Sequence, residues 1–120
     1  MAQATKNESP ERCDISDHAL IGNMSTAALV SLDGSIESYC VPYFDSPSVF
    51  ARILDKDKGG HFSINPTNGF TPKQAYLPSS NVLATKFLSN GVSVVTDFLP
   101  RQSKPGTHKA NLPWLVRRVE

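Results

Sequence analysis

The chain is poor in the features that usually assign a protein quickly. Its 120 residues include two cysteines and one tryptophan. Two cysteines do not make a disulfide framework. Cys13 falls in a polar leader and Cys40 in a predicted strand; a bridge between them stays open, with reduced thiols favoured in a cytosolic chain. No apolar run approaches the ~20 residues that a membrane span needs. The first twelve residues contain no apolar core of a signal peptide, so the cytoplasm is the expected compartment. The net charge of +1 gives no electrostatic case for nucleic acid or an anionic membrane. His18, His61 and His108 show no paired spacing and the cysteines form no C-x2-C, so neither a metal nor another cofactor is expected. No G-x-S-x-G elbow, phosphate-binding loop or G-x-G-x-x-G is present. Long segments of 3.6 periodicity are also missing, which argues against a helical bundle or an α/β fold.

What is present is punctuated β-structure. Residues 1–14 are polar and aperiodic and read as a disordered leader; residues 15–120 read as one domain. A short strand is expected over Ala19 to Ile21. Two apolar runs, Thr26 to Ser31 and Ile36 to Val41, flank Asp33-Gly34, a pair that tolerates the positive φ of a tight primed hairpin turn. Pro42 then turns the chain into a loop. Ser46 can cap a short helix with Pro47 at its first position, and Val49, Phe50, Ile53 and Leu54 would supply its apolar face. Asp55 to Gly60 starts like a calcium loop, but Pro66 stands where the bidentate glutamate is needed, so it reads as a solvated turn. His61 to Asn65 alternates as a half-buried strand with Phe62 and Ile64 on one face. Strands are further expected over Lys73 to Leu77, Val82 to Leu88 and Val92 to Leu99, with turn signals at Asn68-Gly69 and Asn90-Gly91. A loop over Arg101 to Pro113 precedes a last strand, Trp114 to Val119. The expected fold is all-β: an antiparallel β-sandwich with one short helix, ending at an edge strand that pairs on one side only.

The run from Thr26 to Phe50 carries a resemblance. It is similar to the pattern T-A-A-L-V-S-x-D-G-S-I-D-W-L-C-L-P-R-F-D-S-P-S-V-F of the N-terminal β domain of glycoside hydrolase family 15, the glucoamylase and trehalase-like group. Thr26 to Ser31, Asp33 to Ile36, Cys40, Pro42 and Phe44 to Phe50 match it. The likeness continues through His18 to Asn23, Gly59 to Phe62, Tyr76 to Pro78, Asn81 to Leu83, Val95 to Pro100 and Leu115 to Glu120. It implies a β-sandwich that is an incomplete N-terminal domain, cut short at its C-terminal strand. The implied role is a non-catalytic scaffold packing on a helical catalytic barrel absent from this chain, in an enzyme that hydrolyses α-glucosidic bonds with inversion. The catalytic glutamates of that family belong to the barrel, so no catalytic residue is expected here and the chain alone is expected to be inactive.

The candidate site is the loop Pro42 to Ser46. Tyr43, Phe44 and Asp45 offer two aromatic faces and one carboxylate, a set suited to an α-glucoside sugar or to an interface with the helical domain. The alternative for each is structural: Phe44, like Phe50, filling the core, and Asp45 helping to cap the helix at Ser46-Pro47. Tyr43 replaces the arginine of the pattern, Ser38 and Tyr39 replace Trp-Leu, and Glu37 replaces Asp. Of the other acids, Asp33 suits its turn, Glu37 is expected to alternate out of its strand, and Asp97 is expected either to serve a structural hydrogen bond or to face solvent. A free-standing carbohydrate-binding or protein-interaction module is the alternative to the scaffold.

Overall fold

A computed structural model describes residues 14–101 and 114–120. The expected leader up to Cys13, and His108 with most of the loop before Trp114, lie outside them. A single 3₁₀ turn, Ile15–Asp17, precedes nine strands: β1 His18–Gly22, β2 Ala27–Ser31, β3 Ser35–Cys40, β4 Ser48–Phe50, β5 Phe62–Ser63, β6 Thr71–Tyr76, β7 Leu83–Leu88, β8 Val92–Phe98 and β9 Val116–Val119. The first sheet runs β1-β2-β3-β4, with β5 also on β3, and the second runs β6-β7-β8-β9; each pairing is antiparallel. Among the described residues no helix is long and apolar enough to cross a membrane.

The sheets face each other across one core. Ile21, Ala28, Val30, Ile36 and Tyr39 come from the first sheet, Leu83 from the second, and Leu99 from the residue just after β8. Phe87 is almost fully buried and meets Phe70 edge-on, with ring centroids 5.0 Å apart. These are the alternating positions of half-buried strands, with branched and aromatic side chains that suit a pleated surface. Burial pushes the Tyr39 hydroxyl above its ordinary pKa, because the phenolate would lose its hydration.

The hairpin between β2 and β3 is the pivot of the fold. It closes over three residues rather than two. Gly34 N–H donates to the Ser31 carbonyl at 3.0 Å, and Gly34 has φ +81° while Asp33 stays in the ordinary region. Asp33 Oδ1 instead accepts from the Ser31 hydroxyl and from Ser35 N–H, fixing the turn from its side chain. A Cβ on Gly34 would lie 2.6 Å from the Ile64 carbonyl oxygen and 2.7 Å from the Phe87 ring. Glycine is thus required twice, by conformation and by space.

The short helix expected after Ser46 does not form. Ser48–Phe50 pairs with β3, Tyr39 opposite Phe50 and Cys40 opposite Ser48. Ser46 Oγ accepts from Tyr43 N–H at 3.0 Å, inside the preceding loop, so it caps nothing. Backbone pairing with β3 satisfies groups that one or two isolated helical turns would leave open at both ends. Leu54, expected on a buried face, is 84% exposed.

Candidate functional site

The loop Pro42 to Ser46 leaves the end of β3 and meets the Asn23–Thr26 turn that joins β1 to β2. Phe44 N–H donates to the Ser25 carbonyl at 3.1 Å, and Ser46 N–H to the Tyr43 carbonyl at 3.1 Å. Thr26 Oγ1 donates to the Cys40 carbonyl at 2.6 Å, tying the same turn to the root of the loop. The turn itself is held by Asn23 Oδ1, which accepts from Ser25 and Thr26 N–H groups, both at 2.9 Å. On this braced support Tyr43 is 51% and Phe44 64% exposed, with exposed Met24 on the neighbouring turn. Phe44 therefore does not fill the core; Phe50 packs partly against it. Asp45 is exposed and has no helix to cap. Tyr43, Phe44 and Asp45 stand together in one outward-facing loop, a surface two aromatics wide with an acceptor beside it.

The buried acids have other work. Glu37 does not alternate out of β3. Leu29 pairs with Ser38 and Val30 with Ile36, so Glu37 is the extra residue of a β-bulge. A bulge re-aims a side chain and resets the in–out parity, which a strict alternation cannot anticipate. Glu37 Oε2 lies 2.8 Å from Nε2 of the buried His18, and its Oε1 lies 3.6 Å from Arg52 Nη1. The other His18 nitrogen, Nδ1, lies 3.0 Å from the Asp14 carbonyl oxygen, so the ring joins the 3₁₀ turn to the bulge.

Asp97 is fully buried and holds Arg117 through two contacts, Nε to Oδ1 at 2.7 Å and Nη2 to Oδ2 at 3.2 Å. The guanidinium continues across to the first sheet, with Nη2 donating to the Gly34 carbonyl at 2.6 Å and Nη1 to the Phe62 carbonyl at 2.7 Å. It also sits 4.9 Å from the centre of the Phe62 ring. Asp97 thus serves a structural hydrogen bond and does not face solvent. Arg117 and His18 are the residues that sequence reading missed. The available signal was an acid inside the apolar strand Val94 to Leu99 together with an arginine in the last strand.

Glycoside hydrolysis asks for two carboxylates flanking a sugar bond. Here Glu37, Asp97 and Asp33 are each engaged in a scaffold contact. Among the described residues no three His, Cys, Asp or Glu side chains gather into a metal-binding group.

The fold and its polar contacts define a class: an all-β domain of two facing antiparallel sheets, braced by buried charge, with an aromatic loop at one end. Residues 8–119 match the family described as trehalase-like, N-terminal, and the chain belongs to that family. It is 44% identical over 107 residues to a trehalase of Thermoplasma volcanium, covering 86% of this chain and 17% of that protein. It is 49% identical over 104 residues to trehalase 2 of Sulfolobus acidocaldarius, covering 87% and 16%. A trehalase of Mycobacterium tuberculosis is 40% identical over 87 residues, covering 71% and 13%. The chain spans about a sixth of the length of the first two relatives. No solved structure matches it.

Proposed function

We propose that the chain is the non-catalytic N-terminal scaffold of an inverting α-glucoside hydrolase of glycoside hydrolase family 15, trehalase-like rather than a glucoamylase. It packs against a helical catalytic domain that lies outside these 120 residues. The carrying observation is the family match over residues 8–119, with trehalases as the curated relatives and this region a small fraction of each. The commitment of Glu37 and Asp97 to scaffold contacts supports the same reading. In an inverting enzyme one carboxylic acid protonates the leaving oxygen and a second carboxylate activates water; both would come from the helical domain. The contribution of this chain is to position. Tyr43, Phe44 and Asp45, braced from Ser25 and Ser46, form the part that meets the helical domain beside the entrance to the sugar site.

Exposure of Tyr43 and Phe44 on a braced support favours one second reading, a free-standing module that binds a carbohydrate through this loop. Two measurements separate the readings. The 120-residue chain is assayed for trehalose and maltose hydrolysis and melted with each sugar; the scaffold reading expects no turnover and an unshifted melt. A melt raised by sugar without turnover supports the binding module, and turnover by the pure chain overturns both. The chain is then grafted in place of the matching segment of the Thermoplasma volcanium trehalase. Activity is expected in the graft, and Tyr43→Ala together with Phe44→Ala is expected to lower it while shifting the stability of the 120-residue chain by no more than about 0.5 kcal/mol, as exposed positions do.

A further inference from the structure

An antiparallel sheet with one buried face ordinarily turns apolar residues inward and polar ones outward. β8 follows this rule only in part. Its core-facing residues are Ser93, Val95 and Asp97, in register with Phe87, Thr85 and Leu83 of β7. Its outward residues are Val92, Val94, Thr96 and Phe98. Opposite these stand Leu88 beside Val92, Ala84 beside Thr96 and, on β9, Val116 beside Phe98, while Val94 lies between Lys86 of β7 and Glu120 just after β9, and Arg118 stands beside Thr96. An apolar stripe of Val92, Val94 and Phe98, broken at Thr96, therefore lies along β8 on the side away from the first sheet, with Lys86 at one margin and Arg118 and Glu120 at the other. Val92 is 63% exposed, and Val94, Phe98 and Val116 are half-buried.

Next to the stripe, Lys73 of β6 and Lys86 of β7 lie directly opposite each other, both exposed on that outward side. Like charges in such a cross-strand pair are destabilising. Neither lysine has a carboxylate partner among the described residues. An apolar stripe bordered by two neighbouring ammonium groups is complementary to a surface with an apolar side and a row of carboxylates along one margin.

We infer that the outer face of the second sheet is the seat of an amphipathic helix from the larger enzyme, with its apolar side over Val92, Val94 and Phe98 and its Asp or Glu margin over Lys73 and Lys86. This rests on the reading that the chain works beside a helical domain. The relatives are about six times as long as the matched stretch, which leaves ample chain for such a helix. A second copy of this chain does not fit as well. The carboxylate on this face is Glu120, opposite Val94 just after β9, and it is already engaged by Arg118.

The test compares the 120-residue chain with grafts into the Thermoplasma volcanium trehalase and trehalase 2 of Sulfolobus acidocaldarius. In a Cys13→Ser, Cys40→Ser background, Val94→Cys is labelled with a maleimide. Labelling is expected to slow at least tenfold in the grafts. Lys86→Glu is expected to raise the melting temperature of the 120-residue chain, by relieving the lysine pair, and to lower that of the grafts, by repelling the acidic margin. Equal labelling in an active graft overturns the docked helix and leaves the scaffold reading standing. Slow labelling in a folded but inactive graft supports the helix and counts against the scaffold reading. If Val94 is already protected in the 120-residue chain, or that chain forms a dimer that Val94→Glu dissociates, the face is covered from within or by a second copy and the inference falls.

Discussion

The two sheets are joined along two seams of different chemistry. On one, β6 reaches the first sheet with neutral groups. The Tyr76 hydroxyl donates to the Leu20 carbonyl at 2.6 Å and accepts from Leu20 N–H at 3.0 Å, while Gln74 Nε2 donates to the Ser31 carbonyl at 2.8 Å. On the other, β9 reaches across with the buried Arg117, which joins Asp97, Gly34 and Phe62. Water can replace part of an exposed neutral contact, so its loss costs little. A buried charge has no such replacement: removing one partner strands the other in a poor solvent. The charged seam is therefore the brittle one, although it is not the stronger glue, since a well-packed apolar pair in the same place would be as stable or more so.

The comparison can be broken most decisively at Arg117. Arg117→Leu should cost about 3–5 kcal/mol, because Asp97 stays buried without its partner. Urea unfolding measures it, and a loss below about 1 kcal/mol would remove the distinction between the seams. The double variant Asp97→Leu with Arg117→Leu should recover most of that loss, and Arg117→Lys little of it, because an ammonium cannot reproduce the forked contacts. Gly34→Ala attacks the same seam from the backbone. A left-handed φ for alanine and a Cβ pressed on Ile64 and Phe87 should together cost about 2 kcal/mol or more; a midpoint within error of the parent would show that the turn relaxes.

The neutral seam should respond less. Tyr76→Phe removes both contacts to Leu20 and should cost about 1 kcal/mol; an effect matching that of Arg117→Leu would mean the two seams do not differ in kind. The smallest effect concerns pH. Burial raises the folded-state pKa of Tyr39 above its unfolded value, so its contribution is present in full below the ordinary phenol range and is lost as pH rises through the folded value. Stability should decline above about pH 10, and Tyr39→Phe should flatten that decline; an unchanged alkaline slope assigns it to other groups.

Much of the fold could be read from the chain in order. Strands at Ala19, Lys73, Val82 and Val92 follow from alternation and turn residues; the first lies in the first sheet and the other three follow one another in the second. The stretch from Ser46 to Leu54 reads as a helix but forms a strand, because its i, i+4 apolar spacing is equally compatible with a three-residue strand beside β3. Short segments take whichever backbone partner is near, and nearness is a tertiary property. Asn90-Gly91 joins β7 to β8 as expected, yet Gly91 does not use a positive φ.

By itself the sequence determined the all-β class, the hairpin order, the trehalase-like family and the grouping of Tyr43, Phe44 and Asp45, because each rests on neighbours within a few residues. Only the tertiary structure decided which polar groups are buried and with whom. Glu37 turns to His18 because a bulge shifts its parity, and Arg117 finds Asp97 twenty residues away and Gly34 eighty-three away. The physical reason is desolvation. A charge is tolerated in the interior only where its partner's position is set by the packing of both sheets.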